Sequence, residues 1–315
     1  MKAAVVKGPG QTPVYGDFIE PVPGTGDRLV NVTAAAISPV VRSRAAGQHY
    51  SASNQFPFIA GIDGVGRLAD GSRVYFGMPK APFGSMAERA AAPGFLCLPL
   101  PDGLDDITAA AIANPGTSSW GALTIRAKLR EGETVLVNGA TGAAGRLAVQ
   151  IARYMGAARV IATGRNAAQL ETVAADATVV LTEDWDAVED SLKAEIADGV
   201  DVVLDYLWGK SAERLLLAAA KAGLDDRPLR FVQIGSVSGA DITLPSAVLR
   251  STGITLMGSG LGGIRLDLVV KAVSEFFAAA AASGFGIATR PVPLADVEDV
   301  WNADEAGRRT VLTIA

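Results

Sequence analysis

The chain has 315 residues, of which 49% are hydrophobic and 19% charged, with a net charge of −5. That length accommodates two domains with cores of their own, and the acidic balance gives no electrostatic footprint for nucleic acid. The chain carries one cysteine, Cys97, and one histidine, His49, which leaves no disulfide within the chain and too few Cys/His ligands for a structural or three-ligand catalytic zinc site.

The N-terminal stretch Met1–Lys7 shows no signal pattern, because its apolar run is short and interrupted by charge. No segment reaches the roughly 18 apolar residues of a membrane span. The expectation is a cytoplasmic protein with no membrane contact.

The first hundred residues alternate short β signals with Gly and Pro punctuation. Strands are expected at 1–6, 28–34, 65–68 and 72–76, with further β signals in 84–90 and 95–98. A helix follows at 106–113, broken at Asn114-Pro-Gly116 and resumed over 117–123. From residue 134 strands and helices alternate: strands at 134–138, 159–162, 178–181, 200–204 and 229–234, with helices from about 143, at 166–175, 186–197 and 211–222. A short helix at 246–251 and a strand at 253–258 follow. The tail reads as helix 266–282, strand 287–292, a helix near 296–302 and strand 310–314.

This succession predicts an α/β protein in which a doubly wound parallel-sheet domain interrupts a β-rich one. The expected division is 1–115, 116–259 and a returning part, 260–315. A cleft between the two domains is the default site.

The most informative stretch is Glu133 to Arg153. Val135, Leu136 and Val137 form a buried strand. Gly139, Ala140, Gly142 and Gly145 form a turn, and Leu147, Ala148, Ile151 and Ala152 recur at helical spacing. A glycine turn opening a helix aims free N–H groups and the positive end of the dipole at one spot, where a pyrophosphate fits. The next strand ends in Ile161-Ala-Thr-Gly-Arg-Asn166, with no acid for a ribose 2′-hydroxyl. Arg165 suits a 2′-phosphate, and Thr163 and Asn166 add donors, so the expected cofactor is NADPH.

Tyr206-Leu-Trp-Gly-Lys210 matches the Tyr-x-x-x-Lys pattern of short-chain dehydrogenases. That pair must share one helical face, whereas Tyr206 directly follows a strand and Gly209 intervenes. Asp205-Tyr-Leu207 is better placed beside the cofactor at a strand's carboxyl end.

In order along the chain stand Pro57-Phe-Ile-Ala-Gly-Ile-Asp-Gly-Val-Gly66, Pro99-Leu-Pro-Asp-Gly103, Asn138-Gly-Ala-Thr-Gly-Ala-Ala-Gly145, Asp201-Val-Val-Leu-Asp205, Val232-Gln-Ile-Gly235, Gly258-Ser-Gly-Leu-Gly262 and Arg308-Arg-Thr-Val-Leu-Thr-Ile314. Through them the chain resembles the medium-chain dehydrogenase/reductase superfamily, in its zinc-free quinone oxidoreductase branch. The resemblance implies a GroES-like catalytic domain with an inserted Rossmann domain. It implies that Ala140, Thr141, Gly142, Ala143 and Ala144 lie under the pyrophosphate and Gly164-Arg165 at the adenosine ribose. Tyr206-Leu207 and Gly235-Ser236 would flank the nicotinamide, and Arg309 would reach the pyrophosphate. It also implies a homodimer paired through strand 253–258, an apolar edge that otherwise invites aggregation.

The departures concern the active site. The zinc-dependent branch has a His-Glu pair where this chain has Ile62-Asp63, and a catalytic Cys near Ser38-Pro39. Zinc-free relatives place Asn and Asp around the stretch that here reads Ser38-Pro-Val-Val41. Without a metal as Lewis acid, a conjugated acceptor suits hydride transfer, because the negative charge spreads to an oxygen that one or two hydroxyls stabilise. The protein then has to hold the acceptor about 3–3.5 Å from nicotinamide C4. Tyr50, in Gly47-Gln-His-Tyr50, and Ser38 are the candidate catalytic donors; His49 is a weaker candidate, and Cys97 reads as inert core. The expected partner is a small-molecule electron acceptor, a quinone or α,β-unsaturated carbonyl. The alternatives are an enoyl-thioester reductase of the same superfamily and a non-catalytic NADPH-binding protein of regulatory or crystallin-like type.

Overall fold

The computed structural model describes residues 1–49, 52, 55–223, 227–260, 263–303 and 307–315. Tyr50 and the Leu261-Gly262 end of one sequence landmark lie outside the described residues. The chain divides into two compact units, Met1–Asn114 with Val273–Ala315, and Pro115–Ala272.

The first unit is built mainly of antiparallel strands. β1 (Lys2–Val6) pairs with β2 (Val14–Asp17) and β4 (Phe58–Ile59) in a three-stranded sheet. β3 (Asp27–Ala36) is the centre of a second sheet, flanked by β5 (Asp63–Arg67) and by β16 (Arg309–Thr313). β6 (Arg73–Gly77) and β8 (Cys97–Pro99) continue that sheet on one side, and β15 (Thr289–Pro293) closes it on the other. β7 (Arg89–Pro93) pairs with β3 off this path. Val30, Val32 and Ala34 alternate into the core along β3, as a strand's two-residue period requires. Val30 and Val32 meet Phe76, Met86, Trp301 and Leu312 in the unit's main apolar cluster, which Ala35 joins after a register shift between Val32 and Ala34.

α1 (Pro39–Ala45) follows β3. It is absent from the sequence expectation, and its two β-branched valines carry little helical signal. A start signal is nevertheless present: Ser38 is the N-cap and Pro39 the first helical residue, where its missing N–H is no loss.

α2 (Asp106–Gly121) corrects another expectation. It runs through Pro115 without a break and continues as a wider helical turn over Ala122–Ala127, ended by Lys128 at φ +51°. Proline removes one N–H from the ladder. Ala111, Ile112, Ala113 and Trp120 are buried around that step, and their burial outweighs the missing bond.

The second unit alternates strand and helix: β9 (Thr134–Asn138), α3 (Ala143–Tyr154), β10 (Arg159–Gly164), α4 (Ala167–Glu171), β11 (Ala177–Val180), α5 (Trp185–Ala197), β12 (Val202–Asp205), α6 (Gly209–Lys221), β13 (Leu229–Gln233), α7 (Ser246–Arg250) and β14 (Ile254–Gly258). α4 is shorter than the expected 166–175. α8 (Leu266–Ser283) then leads back to the first unit, where α9 (Val297–Val300) precedes β16.

All six strands of the second unit are parallel, in the order β11-β10-β9-β12-β13-β14. This is the doubly wound Rossmann arrangement. Every residue of β12 is buried, as expected for a strand with helices on both faces. On α3, Leu147, Ala148, Ile151 and Ala152 are fully buried, the stripe read from the sequence. Truncating Ile151 to Ala would cost about 2–5 kcal/mol.

Candidate functional site

In a doubly wound sheet, ligands bind at the carboxyl ends of the strands where the order reverses. Here the reversal lies between β9 and β12, whose last residues, Asn138 and Asp205, are partners in register. The loops after β9, β10, β12 and β13 meet at this end.

The loop after β9 is the glycine turn. Gly139 has φ +94°, a left-handed conformation that disfavours a side chain. A Cβ on Gly145 would come within 2.3 Å of the Gly139 carbonyl oxygen, so α3 approaches the turn as closely as a backbone can. Gly142 caps α3 without a side-chain hydrogen bond, which leaves the first N–H groups of this twelve-residue helix to a ligand. The Ala140 N–H donates to the Thr163 carbonyl at 2.8 Å, tying the turn to β10. The Arg146 guanidinium donates to the Thr141 carbonyl at 3.1 Å and to Thr172 Oγ1 at 2.9 Å, bracing the turn from the first turns of α3. Sequence reasoning misses Arg146, whose partners lie on other elements.

At the end of β10, Thr163 and Gly164 are buried and Arg165 and Asn166 exposed. Asn166 caps α4, accepting from the Gln169 N–H at 3.0 Å. Thr141, Arg165, Asn166, Ala167, Ala168 and Gln169 line a cavity of about 660 Å³. The glycine turn and the arginine loop thus share one cavity.

The loop after β12 carries Tyr206 and Leu207. Tyr206 is buried, and its hydroxyl lies 2.7 Å from that of Ser119. Burial raises its pKa well above that of an ordinary phenol. Lys210 pairs with Glu213 at 3.3 Å, so the Tyr-x-x-x-Lys match joins residues with separate partners. The Leu207 side chain covers Gly139, where a Cβ would meet it at 2.9 Å. Gly235 and Ser236 follow β13 and are brought against the same loop. The Gly235 N–H donates to the Asp205 carbonyl at 3.1 Å, and the Ser238 N–H to the Leu207 carbonyl at 2.8 Å.

The remaining expected residues belong to the first unit. Ser38 is buried, and its Oγ accepts from the Val41 N–H at 3.4 Å. Val41 points into the core. Arg309, on β16, is buried, and its Nη1 donates to the Ile37 carbonyl at 2.9 Å. Asp63 lies beside it and accepts from the Tyr75 hydroxyl at 3.2 Å. Burial pushes the Asp63 carboxyl up to about 6, against the opposing pull of Tyr75 and Arg309. Burial also lowers the pKa of His49, with Arg44 adding to the effect. Cys97 is half-buried against the core, and burial pushes its thiol up to about 11. It is a packing residue without thiolate character at neutral pH.

These observations define a dinucleotide-binding α/β protein with a separate β-rich unit. Residues 143–279 match the family model of the zinc-binding dehydrogenases. The probable NADPH-dependent quinone reductase tdiC of Emericella nidulans is 31% identical, over 95% of this chain and 96% of its own length. The quinone oxidoreductase of Lama guanicoe is 28% identical over 98% and 94%. Among solved structures, the quinone oxidoreductase of Thermus thermophilus, also solved with NADPH, superposes with a TM-score of 0.82 at 29% identity over the whole of both chains. The chain belongs to the medium-chain dehydrogenase/reductase superfamily, in its quinone oxidoreductase-like branch.

The family model's name raises zinc, whose usual Cys and His ligands number one each in this chain. The matched stretch contains neither Cys97 nor His49. Among the described residues, no three His, Cys, Asp or Glu side chains cluster closely enough to hold a metal. Asp63, which stands where the zinc-dependent branch has its His-Glu pair, accepts from the Tyr75 hydroxyl and feels the charge of Arg309.

Proposed function

We propose that this protein is an NADPH-dependent oxidoreductase that delivers hydride to a quinone or α,β-unsaturated carbonyl without a metal ion. The observation that carries the cofactor reading is the cavity joining the glycine turn to Arg165, with no acid on the β10 loop to repel a 2′-phosphate. The family membership and the quinone reductase relatives support the same reading.

NADPH, when bound, supplies the hydride. The chain's part is to hold it. Ala140 to Ala144 would bind the pyrophosphate through backbone N–H groups, with the α3 dipole behind them. Gly164, Arg165 and Asn166 would hold the 2′-phosphorylated ribose; Thr163, expected as a donor there, is instead fully buried and gives its hydroxyl to Asn138. Tyr206, Leu207, Gly235 and Ser236 would border the nicotinamide. Arg309 is proposed at the pyrophosphate, although its bond to Ile37 and its place beside Asp63 also suit a structural arginine.

The acceptor's developing oxygen charge requires a donor. Ser38 uses its oxygen to cap α1, which leaves its O–H to donate; Tyr50 is the second candidate. A homodimer through β14, the outer strand of the parallel sheet, completes the reading.

The test is loss of NADPH absorbance with a panel of quinones, enones and enoyl thioesters. Turnover of quinones or enones supports the proposal, and preference for enoyl thioesters moves the assignment to that class. Tight NADPH binding with no turnover on the whole panel overturns the enzymatic reading.

A further inference from the structure

Four fully or almost fully buried polar side chains lie behind the dinucleotide loops: Asn138, Thr163, Asp205 and Ser211. None belongs to a loop's exposed surface, and together they form one connected network. The Gly139 N–H donates to Thr163 Oγ1 at 3.1 Å. Thr163 Oγ1 donates to Asn138 Oδ1 at 2.6 Å. Asn138 Nδ2 donates to Asp205 Oδ1 at 2.8 Å and to Ser211 Oγ at 3.0 Å. Asp205 Oδ1 also accepts from the Leu207 and Trp208 N–H groups, at 3.0 and 3.1 Å.

The direction of these hydrogen bonds is set at one end. An ionised carboxylate only accepts, so Asp205 fixes which end of the Asn138 amide faces it. The amide oxygen then faces Thr163 and makes that hydroxyl a donor. Thr163 Oγ1 is thereby left to accept from Gly139. The carboxylate at the end of β12 thus sets the direction of the Asn138–Thr163 bond, which reaches the end of β10 two strands away, and leaves Thr163 Oγ1 a lone pair for the Gly139 N–H.

The loop that Asp205 holds is strained. Trp208 has φ +58° and ψ −153°, a region otherwise reserved for glycine. Such a conformation persists only where surrounding bonds over-determine it. Asp205 receives the Trp208 N–H with both oxygens, at 3.1 and 3.2 Å, and the Ser211 hydroxyl donates to the Trp208 carbonyl at 3.2 Å. Leu207, one residue earlier, is the side chain that covers Gly139.

We infer that Asp205 and Asn138 are positioning residues for the dinucleotide: their buried network sets the glycine turn, the β10 loop and the strained Tyr206–Trp208 loop as one unit. This rests on the NADPH reading above. It adds that both halves of the cofactor depend on side chains that touch neither. Burial pushes the Asp205 carboxyl up to about 6, while every partner around it is a donor that favours the ionised form.

The experiment compares Asp205→Leu, Asn138→Leu and Asp205→Asn with wild type. For each, the Kd of NADPH and of 2′,5′-ADP is measured by calorimetry, with kcat at saturating NADPH and the melting temperature. Leucine fills the buried volume and removes the network. Asparagine keeps the oxygen that accepts most of the bonds. Both leucine variants are expected to weaken NADPH at least tenfold. They are also expected to weaken 2′,5′-ADP, which would bind at the β10 loop and not at β12. Asp205→Asn is expected to recover NADPH affinity to within about threefold. Leucine variants that change the melting temperature but bind both ligands as wild type does make the network merely structural and overturn the inference. Weakening of NADPH with unchanged 2′,5′-ADP binding also overturns it, because the loops are then not set together. A wild-type protein that binds neither ligand overturns the cofactor reading, and this proposal with it.

Discussion

Ser119 and Tyr206 share a buried hydrogen bond, hydroxyl to hydroxyl, 2.7 Å long. Ser119 lies on α2 and Tyr206 directly after β12, so the bond fixes the start of the strained loop to the helix beside it. The two partners are not equivalent. Ser119 Oγ also donates to the Pro115 carbonyl at 2.8 Å, whereas the buried Tyr206 hydroxyl is held by Ser119. Tyr206→Phe removes one bond and leaves Ser119 satisfied, at a cost of about 1 kcal/mol. Ser119→Ala strands a buried phenol and should cost about 1–3 kcal/mol. Chemical unfolding of the two variants checks the order. A Phe variant less stable than the Ala variant would contradict the asymmetry.

Arg165 is exposed at the mouth of the cavity it shares with Thr141. In the proposed complex it meets the 2′-phosphate, the one group that distinguishes NADPH from NADH. A charge-assisted hydrogen bond contributes about 1.5–3 kcal/mol. Arg165→Gln is therefore expected to raise the KM for NADPH about tenfold to a hundredfold and to leave that for NADH nearly unchanged. Steady-state kinetics with both cofactors decides this. Equal effects on the two would place Arg165 away from the 2′ position.

The glycines of the turn separate folding from binding. A Cβ at Gly145 would overlap the Gly139 carbonyl at 2.3 Å and Ala140 Cα at 2.6 Å. These are backbone atoms and cannot swing aside, so Gly145→Ala must push α3 off the sheet, at about 1–3 kcal/mol or more. A Cβ at Gly142 would meet only the Gly139 carbonyl, at 3.9 Å, and φ there is −76°. Gly142→Ala should fold with wild-type stability and place a methyl where the pyrophosphate approaches. Its expected signature is an unchanged melting temperature with weakened NADPH binding. Wild-type NADPH affinity in Gly142→Ala would mean that the pyrophosphate passes elsewhere.

The parts of the site that can be read from the sequence are those whose signals are local. β9, the glycine turn and the apolar stripe of α3 announce themselves within one window, because strand, turn and helix periodicities follow in order. Arg165 is found by its distance along the chain from that turn. Asn138 reads only as the end of a strand, because its partners arrive from β10 and β12 and become neighbours only through the sheet order. Trp208 carries no sequence sign of its positive φ; a tryptophan there argues against it, and its bonds to Asp205 and Ser211 appear only in the fold. Pro115 misleads in the opposite direction. A breaker is overridden by tertiary burial of the residues around it.

Asp63 gives the fold a measurable pH dependence. Its carboxyl is pushed up to about 6 in the native protein, from an ordinary value of 3.8, chiefly by burial. Below about pH 4 the residue is protonated folded and unfolded, and it contributes no difference. Between about pH 4 and 6 the unfolded chain has already lost the proton that the folded one retains, so stability falls as pH rises. Above about pH 6 the loss levels off, at roughly 2–3 kcal/mol. Asp63→Asn keeps an acceptor for the Tyr75 hydroxyl and removes the titration. Asp205 and the surface carboxylates titrate in both proteins, so the informative quantity is the difference between variant and wild type. That difference in unfolding free energy should shift in favour of the asparagine variant as pH rises from about 4 to about 6.5, and then stay constant. A flat difference across that range would mean that Asp63 ionises in the fold as readily as in water, with Arg309 and Tyr75 compensating fully for its burial.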